Sequence, residues 1–297
     1  MLCHLCPRNC NALREATHGN GFCGAGTLAL VSRAAPHYWE EPCISGTRGS
    51  GTIFFSGCSL GCVFCQNDRI SRGPLPGKAL DAAALSRLFR RVEELGVHNV
   101  NLVTPTHFTP VIAEALQLYK PAIPVVWNSS GYEKPETLQA LKGLVDIFLP
   151  DFKYATSETA RELAQAPDYF EKALPAIQTM CELSGPPVYD ENGLMQSGTI
   201  VRHLVLPLRV QETIRLLDVI AEQLPKGTPV SLMRQYTPLG HTTAKGLDRP
   251  LTAREYDRAV QHMLQLGLTG YTQGAKAVKE SFIPDFLDEE SLRLMSD

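Results

Sequence analysis

Three cysteines at the spacing C-x3-C-x2-C most strongly constrain what this chain can fold into and bind. Cys58, Cys62 and Cys65 lie in residues 57–67, here called the cluster loop, which follows the apolar run at residues 52–55. The run predicts a short strand, and Gly57 predicts the turn after it. Three thiolates on one tight loop can bind three irons of a cubane iron–sulfur cluster and leave the fourth iron open. An open, electron-donating iron suits radical chemistry on a bound cofactor.

A zinc loop is the alternative interpretation of these three cysteines. Zinc sites usually pair two C-x2-C turns into a closed set of four ligands. The cluster loop contains no fourth cysteine, so its spacing favours an iron–sulfur cluster over zinc.

A second group of cysteines lies at the N-terminus, at the spacing C-x2-C-x3-C-x12-C. Cys3, Cys6, Cys10 and Cys23 belong to a segment that is too short to bury a hydrophobic core of its own. Such a segment gains folding free energy from a bound metal. Zinc is the simpler interpretation and a second iron–sulfur cluster is the alternative, because four thiolates can bind either group.

Composition and charge argue against several classes of protein. The 297 residues are 44% hydrophobic, enough for a sizeable core, and the formal net charge of −3 gives no reason to expect nucleic acid as a partner. No apolar run reaches the ~18 residues of a membrane-spanning helix, and no apolar stretch of a signal peptide follows Met1. Nine cysteines in such a chain indicate metal or redox chemistry. We therefore expect a reducing cytoplasm and, for an oxygen-sensitive cluster, an anaerobic host.

Six apolar runs, each followed by a helical pattern, predict an α/β fold with a parallel sheet. The runs lie at residues 52–55, 100–103, 124–127, 145–149, 199–206 and 230–233. Apolar strands that alternate with helices are typical of a partial (β/α)6 TIM-like barrel. We assign residues 1–45 to a small cysteine-rich metal-binding segment and its connector, and residues 46–297 to the barrel core with C-terminal helices. Within the connector, residues 27–32 predict a short helix.

Polar residues gather where the predicted strands end, which is the edge at which parallel barrels place their functional groups. In chain order these residues are Thr104, Thr106, His107, Asn128, Ser129, Asp151, Lys153, Arg202 and His203. Buried charges are costly unless they are paired or contact a ligand. We therefore expect these side chains to share one site at the mouth of the barrel.

The cluster loop and its flanks resemble the radical S-adenosylmethionine (SAM) superfamily. Residues 51–67, with Phe64 directly before Cys65, are similar to the PflX-type group, which is itself similar to pyruvate formate-lyase activating enzymes. The resemblance extends over residues 40–240 through the polar strand ends and over residues 3–23 through the cysteine pattern. It implies the partial barrel, a [4Fe-4S] cluster on the loop, and SAM bound to the open iron.

The resemblance implies an oxidoreductase that reductively cleaves SAM to methionine and a 5′-deoxyadenosyl radical, which then abstracts hydrogen. The most familiar role of the relatives is to activate a glycyl-radical enzyme, by making the radical on a loop of that partner protein. Such an enzyme needs an electron donor such as flavodoxin or ferredoxin. Modification of another peptide or of a small molecule is the alternative reaction. The alternative to an enzyme is a metalloprotein without catalytic activity, which would act as an electron carrier or as a zinc-held scaffold.

The resemblance also implies contacts to the cofactor. Phe64 would lie near the adenine, and groups at Gln66 and Asn67 would read its edge. Asn128 and Ser129 would bond the ribose or the methionine part of SAM.

Two motifs match those of glycyl-radical activating enzymes, and one departs from the superfamily. Asp151 and Lys153 match a D-x-K motif, and Arg202 and His203 match an R-H motif; both contribute SAM or active-site contacts there, and Arg202 offers a fork for a carboxylate. The Gly-Gly-Glu that often ends the second strand and binds the SAM amino group is replaced by residues 104–107. The resemblance implies that Thr104, Thr106 and His107 line this part of the site, with threonine oxygens in place of the carboxylate.

No residue of the sequence is predicted to relay hydrogen. Tyr236, Cys181 and His241 are the candidates, and each is more simply explained as a structural or surface residue.

Overall fold

A series of parallel strands forms the centre of this computed structural model, in which residues 2–239, 242–274 and 286–296 are described. The strands are β1 Ala29–His37, β2 Ser50–Phe55, β3 Lys78–Leu80, β4 Val100–Val103, β5 Val125–Ser129, β6 Ile147–Pro150, β7 Val188–Tyr189, β8 Met195–Thr199, β9 Val201–Leu204, β10 Val230–Met233 and β11 Gly270–Thr272. The helices are α1 Pro42–Ser45, α2 Asp68–Ser71, α3 Ala82–Glu94, α4 Thr109–Leu118, α5 Pro135–Leu138, α6 Ser157–Ala164, α7 Tyr169–Ser184, α8 Val210–Gln223, α9 Ala253–Gln265 and α10 Glu289–Met295. Short 3-10 turns lie at Thr106–Phe108 and Gln139–Leu141.

The strand order confirms the partial parallel barrel. β2, β4, β5, β6 and β8 pair in parallel in that order, and β1, β3 and β7 extend the same sheet with antiparallel pairing. β9 follows β8 after one residue and pairs in parallel with β10, which pairs in parallel with β11. A parallel bridge between Asp151 and Arg202 joins the end of β6 to β9, so the parallel strands form one series. All six predicted strands are present, and β11 extends the series.

The helices form where apolar residues recur at helical spacing. In α3, the buried residues Leu85, Leu88, Phe89 and Val92 lie on one face, and the Asp81 carboxylate caps the start by accepting from the backbone of Ala84 at 2.8 Å. α9 begins with a full capping box between Thr252 and Glu255. In the described part of the chain, every helix is too short or too polar to span a membrane.

The connector before β2 differs from the prediction. The expected helix at residues 27–32 is wrong, because β1 occupies this region and pairs antiparallel with β2, with Ala34 opposite Ile53. Pairing satisfies the backbone groups along the free edge of β2, which outweighs local helix propensity. α10 packs on β1, and Arg33 on β1 forms an ion pair with Asp288 at the start of α10. The division at residues 45 and 46 stays a prediction, and it falls between two strands that pair with each other.

Candidate active site

β2 ends at Phe55 and brings the cluster loop to the carboxyl edge of the sheet. Gly57 and Gly61 have φ angles of 89° and 62°, in the left-handed region that glycine adopts without strain. A side chain at position 61 would also overlap the guanidinium of Arg72, which donates to the Gly61 carbonyl. The two glycines therefore permit the tight turn that the three cysteines require.

Each cluster-loop cysteine has hydrogen-bonding groups beside its sulfur. The Cys58 Sγ accepts from the backbone N–H groups of Leu60 and Gly61, both at 3.4 Å. The Tyr154 hydroxyl donates to Cys62 Sγ at 3.0 Å, and Cys65 Sγ lies 3.4 Å from the Ser71 hydroxyl. Burial raises the pKa of the Cys62 thiol to about 12 and also raises the pKa of Cys65. Ligation of iron therefore has to displace protons from these thiols.

The cluster loop faces a cavity of about 230 Å³, here called the main cavity. Its lining brings together residues from the loop and from the ends of β4, β5, β6 and β9. The predicted site residues that line it are Cys58, Cys62, Phe64, Cys65, Gln66, Asn67, Thr104, Asn128, Ser129, Asp151, Lys153 and Arg202. The polar residues at the strand ends of this set therefore face one space, as expected of the carboxyl edge of a parallel barrel.

Asp151 and Lys153 form an ion pair beside the cluster loop. The Lys153 Nζ lies 2.6 Å from the Asp151 Oδ2, and both side chains are mostly buried. Burial by itself lowers the pKa of Lys153, but the Asp151 carboxylate and a Cys62 thiolate oppose it, and the pKa is raised. The Tyr169 hydroxyl accepts from the Lys153 backbone N–H at 2.9 Å and so fixes this turn. Lys153 is a fixed cation in the main cavity.

Arg202 is paired within the chain, whereas the sequence predicts a fork that is free for a carboxylate. The Glu40 Oε2 lies 3.1 Å from Arg202 Nη1, and the Glu41 Oε1 lies 3.1 Å from Arg202 Nε. Burial lowers the pKa of Arg202, and the two glutamates more than compensate and raise it. The other oxygen of Glu40 accepts from the amide of Asn128 at 3.3 Å. Two acidic residues missed in the sequence thus reach the site from the β1–α1 connection, and Glu40 lines the main cavity.

Thr104 has a strained backbone at the end of β4. Its φ angle is 59°, which a β-branched residue rarely adopts. Its backbone N–H donates to the Asn128 carbonyl at 2.9 Å, which holds the residue at the cavity wall. Strain of this kind persists only where surrounding contacts over-determine it, and it concentrates at functional sites.

Three predicted site residues lie away from the main cavity. Thr106 donates to the Glu133 Oε1 at 2.9 Å, and His107 Nε2 lies 2.8 Å from the Ser56 carbonyl. His203 uses both ring nitrogens, because Nδ1 lies 2.7 Å from the Phe152 carbonyl and Nε2 lies 2.9 Å from Thr213 Oγ1. Burial lowers the pKa of both histidines to about 4, so each ring is neutral at neutral pH.

Glu133 is a buried carboxylate that the sequence did not reveal as part of the site. It accepts from Thr106 and from the Trp127 indole, both at 2.9 Å, and from the Ser129 hydroxyl at 2.6 Å. Burial raises its pKa, and these hydrogen bonds oppose the shift. Glu133 therefore positions Ser129 from beneath the cavity wall.

The four N-terminal cysteines converge in space, as their spacing predicts. Cys3, Cys6, Cys10 and Cys23 all line one cavity of about 10 Å³, here called the small cavity. Among the described residues, no group of three or more His, Cys, Asp or Glu side chains is already close enough together to bind one metal ion. Both cysteine groups would therefore adjust their sulfur positions on binding a metal.

The candidate hydrogen-relay residues give no support to such a role. The buried Tyr236 hydroxyl donates to the Leu247 carbonyl at 2.6 Å, and Cys181 is buried in α7. His241 lies outside the described residues.

Comparison with protein families matches residues 52–196 to the Radical SAM superfamily. An uncharacterized protein of Methanocaldococcus jannaschii is 30% identical over 273 residues, which cover 87% of this chain and 73% of that protein. This chain belongs to the radical SAM superfamily. A radical SAM domain implies a [4Fe-4S] cluster and SAM. The residues fit both groups, since three cysteines on one loop would hold the cluster at a cavity whose charged and amide side chains could bind SAM.

Solved structures share the fold at low sequence identity. SuiB of Streptococcus suis, bound to its precursor peptide SuiA, gives a TM-score of 0.52 at 17% identity and covers 73% of this chain and 46% of that one. The FeFe-hydrogenase maturase HydG of Carboxydothermus hydrogenoformans gives 0.51 at 15% identity and covers 79% of this chain and 56% of that one. The chain thus spans about half the length of these two structures.

Proposed function

We propose that this radical SAM enzyme cleaves SAM in the main cavity and abstracts hydrogen from a polypeptide. The observation that carries the proposal is the shared lining, in which the three loop cysteines and the Asp151–Lys153 pair face one space of about 230 Å³. When bound, the cluster and SAM supply one-electron cleavage of the S–C5′ bond and a radical able to take hydrogen. The chain binds, orients and shields these groups.

Cys58, Cys62 and Cys65 are the proposed cluster ligands. Hydrogen bonds to cluster sulfurs raise the reduction potential. The Tyr154 hydroxyl at 3.0 Å from Cys62 Sγ is placed to make such a bond. The Ser71 hydroxyl is placed similarly beside Cys65.

Side chains on opposite sides of the main cavity suit the two ends of SAM. Phe64 is held edge-to-face against Tyr236, with ring centroids 6.1 Å apart, and the Gln66 amide donates to the Gln235 carbonyl at 3.1 Å. This rigid wall is the proposed adenine site, together with Asn67. Asn128 and Ser129 are the proposed partners of the ribose or methionine polar groups.

Lys153 and Glu40 are the proposed partners of the charged amino-acid end of SAM. Lys153 is the proposed cation for the carboxylate, because it has one carboxylate partner, Asp151, whereas Arg202 has two, Glu40 and Glu41. Glu40 supplies the acidic group that the second strand lacks, and the strained Thr104 places oxygens nearby. Arg202 thus acts by holding Glu40 in place.

The proposed substrate is the glycyl-radical loop of a partner enzyme, with flavodoxin or ferredoxin as the electron donor. Trp39 lines the main cavity, and Tyr38 and Trp39 are 55% and 56% exposed. Exposed aromatic residues beside a cavity suit contact with a protein segment. Modification of a different peptide is the second candidate, and it is favoured by the structural similarity to SuiB, which was solved with a precursor peptide bound.

Anaerobic reconstitution with iron and sulfide, followed by dithionite and SAM, tests the proposal by measuring 5′-deoxyadenosine. We expect product from the wild-type protein and at least about 10-fold weaker SAM binding in Lys153→Met, since a charge-assisted contact is lost. Lys172→Met on the exposed face of α7 is the matched control. Absence of 5′-deoxyadenosine from a protein that holds its cluster would contradict the proposal.

A peptide that carries the glycyl-radical loop of pyruvate formate-lyase separates the two substrates. A glycyl-radical EPR signal on this peptide is the result expected of an activating enzyme. Formation of 5′-deoxyadenosine without that signal would instead support the modification of another peptide.

A further inference from the structure

We propose that Cys3, Cys6, Cys10 and Cys23 bind one zinc ion, and that this zinc site stabilises the cluster loop from behind. The zinc site is independent of radical chemistry. Only its effect on the cluster loop rests on the function proposed above.

Two tight turns present cysteines to the small cavity. The Asn9 backbone N–H donates to the Cys6 carbonyl at 3.2 Å, and the Gly24 backbone N–H donates to the Gly21 carbonyl at 3.0 Å, across Cys23. The turns lie side by side, because a Cβ added at Gly21 would approach the Cys10 Sγ to 2.9 Å. Paired turns that each carry cysteine are the usual construction of a structural zinc site.

A buried nitrogen in the same cavity also indicates a cation. His107 lines the small cavity and is 2% exposed, and its Nδ1 has no hydrogen-bond partner among the described residues. Because the Ser56 carbonyl can only accept, His107 Nε2 carries the proton and Nδ1 keeps a lone pair. A buried acceptor without a partner is costly, so His107 Nδ1 is a nitrogen that could replace the exposed Cys10 as the fourth ligand.

The size and charge of the site favour zinc over a second cluster. The small cavity has a volume of about 10 Å³. A space of ~10–15 Å³ holds one water-sized group, which suits a single ion better than a four-iron core. Four thiolates around Zn²⁺ leave a net charge of −2, and the Arg14 Nη1 lies 4.0 Å from Cys3 Sγ, where it can offset part of that charge.

Arg8 connects this segment to the back of the cluster loop. It lies between Cys6 and Cys10, and its guanidinium donates to the Ser59 carbonyl at 2.8 Å and to the Leu60 carbonyl at 3.2 Å. The same group donates to the Ala164 carbonyl at 2.7 Å, at the end of α6. Ser59 and Leu60 lie between Cys58 and Cys62, so ordering of the zinc segment fixes the backbone on which two cluster ligands stand.

The zinc assignment is tested on a variant that cannot bind the radical SAM cluster. The triple variant Cys58→Ala, Cys62→Ala and Cys65→Ala is purified anaerobically, reconstituted with iron and sulfide, and analysed for zinc, iron and sulfide. We expect one zinc per chain and no iron. About four irons with sulfide would overturn zinc in favour of a second cluster, and a chain without metal would overturn the site.

X-ray absorption at the zinc edge then tests the ligands. We expect four sulfurs at about 2.3 Å. A nitrogen at about 2.0–2.1 Å would overturn Cys10 as a ligand in favour of His107. Cys6→Ser is expected to lose the zinc, whereas Cys181→Ser, a buried cysteine outside both groups, keeps it.

Arg8→Gln tests the effect on the cluster loop without removing a ligand. We expect this variant to retain its zinc and to lose reconstituted iron several-fold faster on exposure to a chelator. Unchanged iron loss would overturn the effect on the cluster loop while leaving the zinc count untouched. Failure of the wild-type protein to bind iron would instead count against the function proposed above.

Discussion

The two cysteine groups of this chain offer the same kind of metal ligand, a thiol, but they line cavities of very different size. The cluster loop faces the main cavity of about 230 Å³, whereas the N-terminal cysteines line a cavity of about 10 Å³. On the proposed assignments, three cysteines beside a large polar space would leave an open coordination site for SAM. Four cysteines around a small space would complete a closed site. Both the number of thiols and the space beside them would then separate a catalytic metal from a structural one.

The surroundings of the two groups differ in the same way. The main cavity contains fixed charges, with Lys153 paired to Asp151 and Arg202 paired to Glu40 and Glu41. Around the N-terminal cysteines, Arg8 and Arg14 donate to backbone carbonyl groups. Charged side chains therefore line a cavity in one region and bind backbone carbonyl groups in the other.

Removal of a proposed cluster ligand is expected to have the largest effect, and it should affect the cluster loop alone. Cys62→Ala should lose iron and reduce 5′-deoxyadenosine formation by at least about 100-fold, because Cys58 and Cys65 are the other thiols that line the main cavity among the described residues. The zinc content should stay unchanged. Metal analysis and the cleavage assay check this, with Cys181→Ala as the control. Retained cleavage in Cys62→Ala would show that the cluster is held elsewhere.

Arg202→Met at the main cavity is expected to have the next largest effect, and this effect is on stability. It leaves Glu40 and Glu41 buried without their cation, which should lower the free energy of unfolding by about 3–5 kcal/mol. The exposed Arg161→Met on α6 should change it by less than about 0.5 kcal/mol. Chemical denaturation measures both variants. A small change in the free energy of unfolding would contradict this expectation, because it would mean that Glu40 and Glu41 become hydrated or protonated in Arg202→Met.

The pH dependence of stability should report the buried His203. Burial lowers the pKa of His203 from 6.5 to about 4 in the folded state. Between pH 6.5 and 4, His203 is therefore protonated in the unfolded chain and neutral in the folded chain. This stability is present above pH 6.5 and is lost as the pH falls towards 4, by up to ~3 kcal/mol. His203→Gln keeps hydrogen-bonding groups and removes the titration. Its unfolding midpoint should fall less steeply with acid, and an equal slope would refute the assignment.

Tyr154→Phe is expected to have the smallest effect. The variant removes the hydroxyl beside Cys62 Sγ and should lower the reduction potential of the cluster by roughly a few tens of millivolts. Tyr119→Phe, whose hydroxyl bonds Glu93 on α3, is the control. Spectroscopic redox titration checks both, and identical potentials would show that Tyr154 does not contact a ligated sulfur.

The residues whose place at the main cavity could be predicted from the sequence are those whose position follows from strand geometry. Asp151 and Lys153 lie two apart at the end of a parallel strand, and both reach the cavity. Arg202 and His203 are adjacent on β9, so their side chains point to opposite faces, and only Arg202 lines the cavity. That alternation was available in the sequence and would have removed His203 from the predicted site.

Other parts of the site depend on long-range contacts that a sequence pattern does not encode. Glu40 and Glu41 follow β1, which lies between β3 and β2 in the sheet, whereas the sequence predicts a connector with a short helix in this region. Only the pairing of β1 with β2 brings these acids to Arg202. His107 was predicted for the SAM site, but it bonds the Ser56 carbonyl and lines the small cavity instead. The orientation of the His107 ring depends on how the N-terminal segment packs against the cluster loop.

EPR of the anaerobically reduced protein, recorded with and without SAM, distinguishes the two cysteine groups in one experiment. We expect the signal of a single [4Fe-4S] cluster, and we expect the whole signal to change when SAM is added, because the proposed cluster has an open iron and the proposed N-terminal site holds zinc. A signal that is indifferent to SAM would contradict an open site beside the main cavity. A residual signal that SAM leaves unchanged would contradict the difference between the two cysteine groups.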